Sequence, residues 1–347
     1  MNKEQQQQDD SPTAPSRLED LAQLAGVSVA TVSRALNDSH LVSEKTKQRI
    51  LSLADRHHYA GRTQFTPRAA TEPAALSVII PPLQGRDIHL SNPFLMELIG
   101  GIGDALWEWG EDLVVTHYKE DLHGQLRAGG RNKHASAFIA LGQGLLHDEL
   151  NRMAERGVPV VVWGERMDNQ RYCVLGSDNE AGGYRATNHL LRLGRKRIAF
   201  IGDDTSGESA LRFKGYRKAL DEAGVDFDPR LIQPTTLYPE AGYETLESML
   251  TRTIEFDGIF AACDHVAFGA IRGLIERGVS VPGDVSVVGY DDVPGSAYYN
   301  PPLTTVRQHV GKAGRQLVRK AIRLRNGEAV ESSYLSTELV IRASCGA

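Results

Sequence analysis

From residue 76 onward the chain alternates short, nearly continuous apolar runs with longer stretches whose apolar positions recur every three or four residues. The runs fall at 76–80, 113–117, 137–141, 158–163, 198–202, 258–261 and 285–289. Each has the length of a strand buried on both faces. The stretches at 93–109, 147–156, 179–193, 208–223, 241–250 and 265–277 carry the helical period. Strands alternating with such helices predict parallel sheets with helices on both sides. Roughly a hundred residues per lobe predicts two such sheets. Ligands of open α/β sheets bind outside the carboxyl ends of the strands, so two facing sheets predict a cleft for a small molecule.

Before residue 76 the pattern is different. Leu18, Leu21, Ala22 and Ala25 recur at helical spacing, and Ala25-Gly26-Val27 breaks the helix. Gly26 admits the positive φ of a tight turn. Ser28 is placed as the N-cap of a second short helix, Ser16-x-x-Glu19 has the form of a capping box, and a third helix is predicted over 43–58. Two short helices about a tight turn, closed by a third, have the form of a helix-turn-helix headpiece. The second helix of that motif places its N-terminal residues against base edges in the major groove.

Composition refines this picture in two places. The 347 residues carry a net charge of −5, which alone argues against nucleic acid. Residues 16–70, however, hold eight basic and five acidic side chains, so the acidic excess lies in the body and phosphate contact fits one end only. The three cysteines, Cys173, Cys263 and Cys345, are scattered without metal-ligand spacing, which predicts neither disulfides nor a metal site and fits a reducing, cytoplasmic compartment. Residues 1–15 are polar and lack the apolar core of a signal peptide, and read as a disordered tail. No Walker motif is present, and Gly100-Gly101-Ile102-Gly103 lacks dinucleotide spacing. No cofactor is expected.

The headpiece sequence Asp20-Leu21-Ala22, Ala25-Gly26-Val27-Ser28 and Thr31-Val32-Ser33-Arg34-Ala35-Leu36-Asn37 closely resembles the opening of the LacI/GalR family of sugar-responsive bacterial repressors. The resemblance continues through Asp178-Asn179-Glu180-Ala181-Gly182, Arg212-Phe213-Lys214-Gly215-Tyr216, Val288-Gly289-Tyr290-Asp291-Asp292 and Pro302-Leu303-Thr304-Thr305-Val306, and spans about residues 16 to 343. It implies an α/β protein with a lambda-repressor-like three-helix headpiece (16–59), a hinge or linker (60–75), and a two-lobed, type I periplasmic-binding-protein-like body (76–343) for effector binding and dimerisation. By analogy the N-lobe comprises 76–173 and 305–330, and the C-lobe 176–304 and 331–343.

The same resemblance assigns base reading to Val29, Ala30 and Arg34. Arg34 can make the bidentate contact to guanine, whereas Ser28, Thr31, Ser33 and Asn37 suit phosphates. A homodimer on a pseudo-palindromic operator is implied. Asp291 and Arg212 match the effector-binding aspartate and arginine, and a guanidinium fork suits sugar hydroxyls. Further candidates follow strands: Asn92 and Phe94 after the first, Gln143, Trp163 and Glu165 in the N-lobe, Tyr238 and Asp264 in the C-lobe. For Phe94 and Trp163 a core role competes with stacking on a sugar ring, and for Asp264 the alternative is helix capping.

Two departures stand out. Cys263 replaces the usual Asn or Ser before Asp264, and residues 59–68 lack the family's hinge proline and wedge leucine. Gly61 and Pro67 disfavour a hinge helix, while Phe65 could act as a substitute wedge. The expected function is a repressor released from its operator by an unphosphorylated sugar or glucoside; corepression, or a response to a non-sugar small molecule, is chemically open. A sugar-modifying enzyme is the main rival, but no G-x-S-x-G or H-E-x-x-H occurs. A transport binding protein lacks reason for the headpiece, and redox sensing through Cys263 is the least favoured reading.

Overall fold

The computed structural model describes residues 18–36, 41–56, 75–81, 90, 92–118, 135–205 and 207–347. The tail, residues 60–74 of the expected linker with Gly61, Phe65 and Pro67, and the positions of Ser16 and Asn37 lie outside these residues, while Ala75, placed in that linker, opens the first strand. The chain divides into two compact units, a headpiece and a body.

The headpiece consists of α1 (Leu18–Ala25), α2 (Val29–Leu36) and α3 (Glu44–Arg56). α1 stops as its sequence predicts. Gly26 adopts φ +61°, and the Val27 amide reaches back to the Ala22 carbonyl at 3.1 Å, the bond that closes a glycine-terminated helix. Ser28 then starts α2, its Oγ accepting the Thr31 amide at 3.1 Å. Leu21, Val32 and Ile50 are fully buried at the centre, ringed by Ala22, Ala25, Ala35, Val42 and Ala54. Each large side chain contributes about 1.5–3 kcal/mol, so this small unit has no redundancy in its core.

The body contains two six-stranded sheets. In the N-lobe, β1 (Ala75–Ile80), α4 (Pro93–Trp109), β2 (Asp112–His117), β3 (Ala135–Leu141), α5 (His147–Glu155), β4 (Val160–Trp163) and β5 (Cys173–Ser177) follow one another. In the C-lobe come α6 (Asn179–Arg192), β6 (Ile198–Ile201), α7 (Gly207–Ala223), β7 (Ile232–Gln233), α8 (Pro239–Thr251), β8 (Gly258–Ala261), α9 (Asp264–Glu276), β9 (Ser286–Asp291) and β10 (Thr304–Arg307). The chain returns to the N-lobe as α10 (Val310–Arg325) and β11 (Ser333–Leu335), and ends in the C-lobe with β12 (Glu338–Val340). The orders are β11-β5-β4-β3-β1-β2 and β12-β10-β9-β8-β6-β7. The apolar runs therefore became strands, with β1, β4, β6, β8 and β9 buried throughout; β2, expected to be buried on both faces, instead lies at the edge of its sheet with exposed and half-buried side chains.

The lobe boundaries need correction. β10 pairs in parallel with β9 and so belongs to the C-lobe, although residues 305–307 were assigned to the N-lobe. β11 pairs with β5 and belongs to the N-lobe, although 333–335 were assigned to the C-lobe. β5 itself carries the N-lobe on to Ser177. All three crossings fall a few residues later than analogy placed them, because each strand continues to the end of its ladder before the chain changes lobe.

The two N-lobe helices α4 and α10 approach at glycines. A Cβ on Gly314 would lie 2.4 Å from the Gly101 carbonyl carbon and 2.6 Å from the Ile102 amide nitrogen. The glycine-rich turn of α4 thus serves a backbone-to-backbone helix crossing. Leu98, Ile102, Leu106, Val310, Leu317 and Val318 share the surrounding N-lobe core.

Candidate functional site

On α2, Val32 and Ala35 face the headpiece core, whereas Val29, Ala30 and Arg34 are exposed on the opposite side. Ser28 Oγ also bonds Thr31 Oγ1 at 2.8 Å, so these two hydroxyls are engaged at the start of the helix. The three candidate base readers therefore share one solvent-facing surface, presented by a capped helix.

In the body, the carboxyl ends of the strands carry the candidate ligand groups, as open α/β sheets require. Asp291 closes β9 with φ +112° and Asp292 follows at φ +59°. Two successive non-glycine residues at positive φ mark local backbone strain, which persists only where the surroundings hold it. Asp291 is held by Gln308, whose Nε2 donates to Oδ1 at 2.6 Å, and by Arg212, whose Nη1 lies 3.7 Å from the same oxygen. Arg212 is itself fixed on three sides. Its Nε donates to Asn179 Oδ1 at 2.9 Å, its Nη1 to the Ala262 carbonyl at 2.5 Å, and its guanidinium lies 3.8 Å over the Tyr290 ring. Both residues are more than nine-tenths buried. Burial pushes the Asp291 carboxyl up to about 6 against the opposing pull of Arg212.

The remaining candidates divide. Phe94 is half-buried and tilted against Trp163, ring centroids 6.3 Å apart. Trp163 is only 6% exposed within the N-lobe core, so the core alternative holds for it, and Phe94 packs on it from the half-buried side. Glu165 is half-buried and raised to about 6, by burial first and by Glu208 of α7 second. Tyr238 precedes α8 as its N-cap residue, next to Leu237, whose carbonyl lies 3.9 Å from Cys263 Sγ.

Three candidates are committed to the protein itself. Asn92 Oδ1 caps α4 by accepting the Leu95 amide at 3.2 Å. Gln143 is buried and its amide donates to the Glu165 carbonyl. Asp264 departs furthest from a ligand role. Its carboxylate is fully buried and accepts from the Val293 amide at 2.9 Å, the Ser296 hydroxyl at 2.6 Å and the Thr305 hydroxyl. It braces the turn after β9 from the first residue of α9, and Gly289 leaves the space it occupies.

Burial, and secondarily the charge of Asp291, pushes Asp264 up to about 8. A carboxyl raised on folding is protonated in both states at low pH. As pH rises toward about 8, the unfolded chain ionises and the folded one resists. Its contribution to stability therefore declines between about pH 4 and pH 8. Asp264→Asn, an isostere of the protonated acid, should flatten that decline; thermal midpoints of both proteins across this range would show it. Parallel curves for the two would refute the assignment.

Several groups carried no sequence signal. Asn179 and Gln308 orient Arg212 and Asp291. Glu97 of α4 shares a pocket of about 220 Å³ with Asp291, Asp292 and Arg307. Asp292 joins two arginines, Arg307 and Arg342, each at 2.6 Å. Cys263 is buried and its thiol is pushed up to about 12 by that burial, which leaves it unreactive. Among the described residues no group of three or more His, Cys, Asp or Glu side chains could hold a metal ion, and no helix is long and apolar enough to cross a membrane.

Comparison with known proteins agrees with this arrangement. Residues 17–61 match the family described as bacterial regulatory proteins, lacI family, and residues 187–345 match a periplasmic binding protein-like domain. The chain is 32% identical over 338 residues to the HTH-type transcriptional regulator RegA of Clostridium saccharobutylicum, covering 94% of this chain and 98% of that one. It is 33% identical to the HTH-type transcriptional regulator CelR of Thermobifida fusca, covering 94% and 97%. Among solved structures, a transcriptional regulator CelR–cellobiose complex aligns with a TM-score of 0.69 at 30% identity, covering 95% of this chain and 100% of that one. The lac repressor dimer bound to operator and the anti-inducer ONPF gives 0.69 at 25% identity, covering 96% and 100%.

Proposed function

Because the chain belongs to the LacI family of bacterial transcriptional regulators, we propose that it is a repressor released from its operator by a sugar held between the two lobes. The observation that carries this reading is the buried Arg212–Asp291 pair at the strand ends of a body joined to a helix-turn-helix headpiece. The pair offers donors and acceptors to hydroxyls, and Phe94 of the other lobe offers an apolar face to the C–H surface of a sugar ring. The relative solved in complex with cellobiose makes an unphosphorylated glucoside the first ligand class to test. On the DNA side, Val29, Ala30 and Arg34 read bases while Ser28, Thr31, Ser33 and Asn37 position the helix on phosphates. A homodimer reads a pseudo-palindromic site. Trp107 at 88% and Trp109 at 56% exposure on α4 support a second copy as their cover.

Coupling between the sites is expected at about 1–3 kcal/mol, as for other two-state regulators. The test is fluorescence anisotropy on an operator selected from random DNA, titrated with cellobiose and related sugars. Wild type should release its operator. Asp291→Asn should need at least about tenfold more sugar while binding the operator unchanged, since it loses a charged acceptor to the ligand, worth about 1.5–3 kcal/mol. A sugar that binds free and operator-bound protein equally well would rule the mechanism out, and one that tightens operator binding would reverse its sign to corepression.

A further inference from the structure

The linker and the cleft belong to opposite edges of the N-lobe sheet. Ala75, where the linker ends, is the first residue of β1, and its register partner Asp112 is the first of β2. Gln143, Trp163 and Glu165 stand instead at or just beyond the carboxyl ends of β3 and β4. The six residues of β1 separate the two edges by roughly 20 Å. One helix covers that distance. The first turn of α10, Val310 to Lys312, lines the pocket that holds Asp291 and Asp292. Its sixteen residues then run about 24 Å to Arg325. There Arg325 Nη1 donates to Ser136 Oγ at 2.9 Å, and Ser136 Oγ donates to the Ala75 carbonyl at 3.0 Å. Glu111, between α4 and β2, holds the same guanidinium. Nη1 donates to its Oε2 at 2.8 Å, and Nη2 lies 2.7 Å from its Oε1. The Glu111 side chain is 8% exposed and that of Arg325 20%. Such a fork fixes direction as well as distance. The ion pair alone would close this edge of the lobe; the added bond to Ser136 ties it to the carbonyl where the linker ends.

We infer that Ser136 is a positioning residue: through Arg325 it fastens the end of the linker to α10, so that a shift of α10 at the cleft is passed on toward the headpiece. The crossing of α10 with α4 runs backbone against backbone, a Cβ on Gly101 lying 3.2 Å from the Gly311 Cα. Small sliding movements of packed helices use contacts of this kind. The magnitudes agree as well. Coupling between two sites of a regulator is typically about 5-fold to 150-fold. Losing a hydrogen bond to a charged group shifts an equilibrium by about 10-fold to 150-fold, so one such bond is of the size required. Resting on the reading of the cleft as the effector site, the consequence is that Ser136→Ala binds sugar and operator separately as wild type does, while the two no longer oppose each other.

The test does not depend on knowing the effector, because coupling is reciprocal and operator DNA acts back along the same path. Hydrogen exchange of the full-length protein is measured alone, with an operator selected from random DNA, and with a scrambled duplex. In wild type the operator should change exchange across residues 309–314, at the cleft end of α10, by about fivefold or more. The scrambled duplex should not. In Ser136→Ala the change should fall to less than about half of that in wild type, and Ser136→Thr, which keeps the hydroxyl, should restore it. No operator-dependent change at 309–314 in wild type, or an undiminished change in Ser136→Ala, overturns the proposal. So does a loss that Ser136→Thr fails to restore, since packing rather than the bond would then be at work. If the change is present and depends on Ser136 while no sugar releases the operator, the connection stands and it is the sugar reading that fails.

Discussion

Arg34→Ala is expected to weaken operator binding by roughly 30-fold to 10⁴-fold while leaving non-specific DNA binding nearly unchanged. The range follows from one bidentate arginine–guanine contact per headpiece, worth about 1–3 kcal/mol, taken twice in a dimer. Arg34 stands exposed on the outer side of α2, opposite the buried Val32 and Ala35, so truncation costs the headpiece no packing. Anisotropy titrations on the selected operator and on a scrambled duplex, at one salt concentration, separate the two terms. Equal losses on both duplexes would demote Arg34 to a phosphate contact, leaving base reading to Val29 and Ala30.

Gly314→Val should destabilise the body by about 3 kcal/mol or more, lowering its thermal midpoint by some 6–12 °C. Helix propensity alone favours valine over a mid-helix glycine by a few tenths of a kcal/mol. Sterics decide otherwise, because the new Cβ would meet the Gly101 carbonyl carbon and the Ile102 amide at 2.4 and 2.6 Å. Backbone cannot swing aside as a side chain can, so α4 and α10 must separate and loosen the Leu98, Ile102, Val310 and Leu317 packing. Gly100, one residue from the crossing, is exposed with nothing within 4 Å of an added Cβ. Gly100→Ala should therefore stabilise by about 0.5–1 kcal/mol. Differential scanning calorimetry of the pair checks both signs, and a stabilised Gly314→Val would mean the helices do not meet as described.

These two sites mark what was legible in the chain. The turn at Gly26 and the cap at Ser28 act through neighbours three or four residues away, so the pattern alone places them. The strands at 76–80, 137–141 and 258–261 were equally plain, being continuous apolar runs. β5, β10, β11 and β12 were not: β11 and β12 are only three residues long, and β5 and β10 mix polar residues or glycine among their apolar ones; their pairing joins distant segments, Tyr334 opposite Gly176 and Val340 opposite Thr305. α10 carries a clear apolar stripe of Val310, Ala313, Leu317, Val318 and Ile322. Interleaved glycines, lysines and arginines break that period along the chain.

Within the cleft, Arg212 and Asp291 were found by resemblance, and the structure adds the Asn179 and Gln308 bonds that hold them. Asp264 shows the limit of that route. A carboxylate at the start of a helix reads as ligand or cap, whereas its partners Val293, Ser296 and Thr305 come from two other segments that no local pattern joins to it. Glu97 belongs to no motif; only the pocket it shares with the opposite lobe brings it to notice.

The three crossings between lobes bear on how the protein is made. Neither lobe is a continuous stretch of chain: the N-lobe sheet waits for β11 to cover β5, and the C-lobe sheet for β12 to pair with β10. Even the turn at Ala343–Cys345 takes part, with Ser344 Oγ donating to the Val287 carbonyl at 2.6 Å. During synthesis the headpiece can fold as soon as it leaves the ribosome, since its core is local. The body cannot close until residues 333–345 are free to pair, and such long-range closure is slow. For an interval, each nascent chain would carry a finished headpiece on an unfinished sensor.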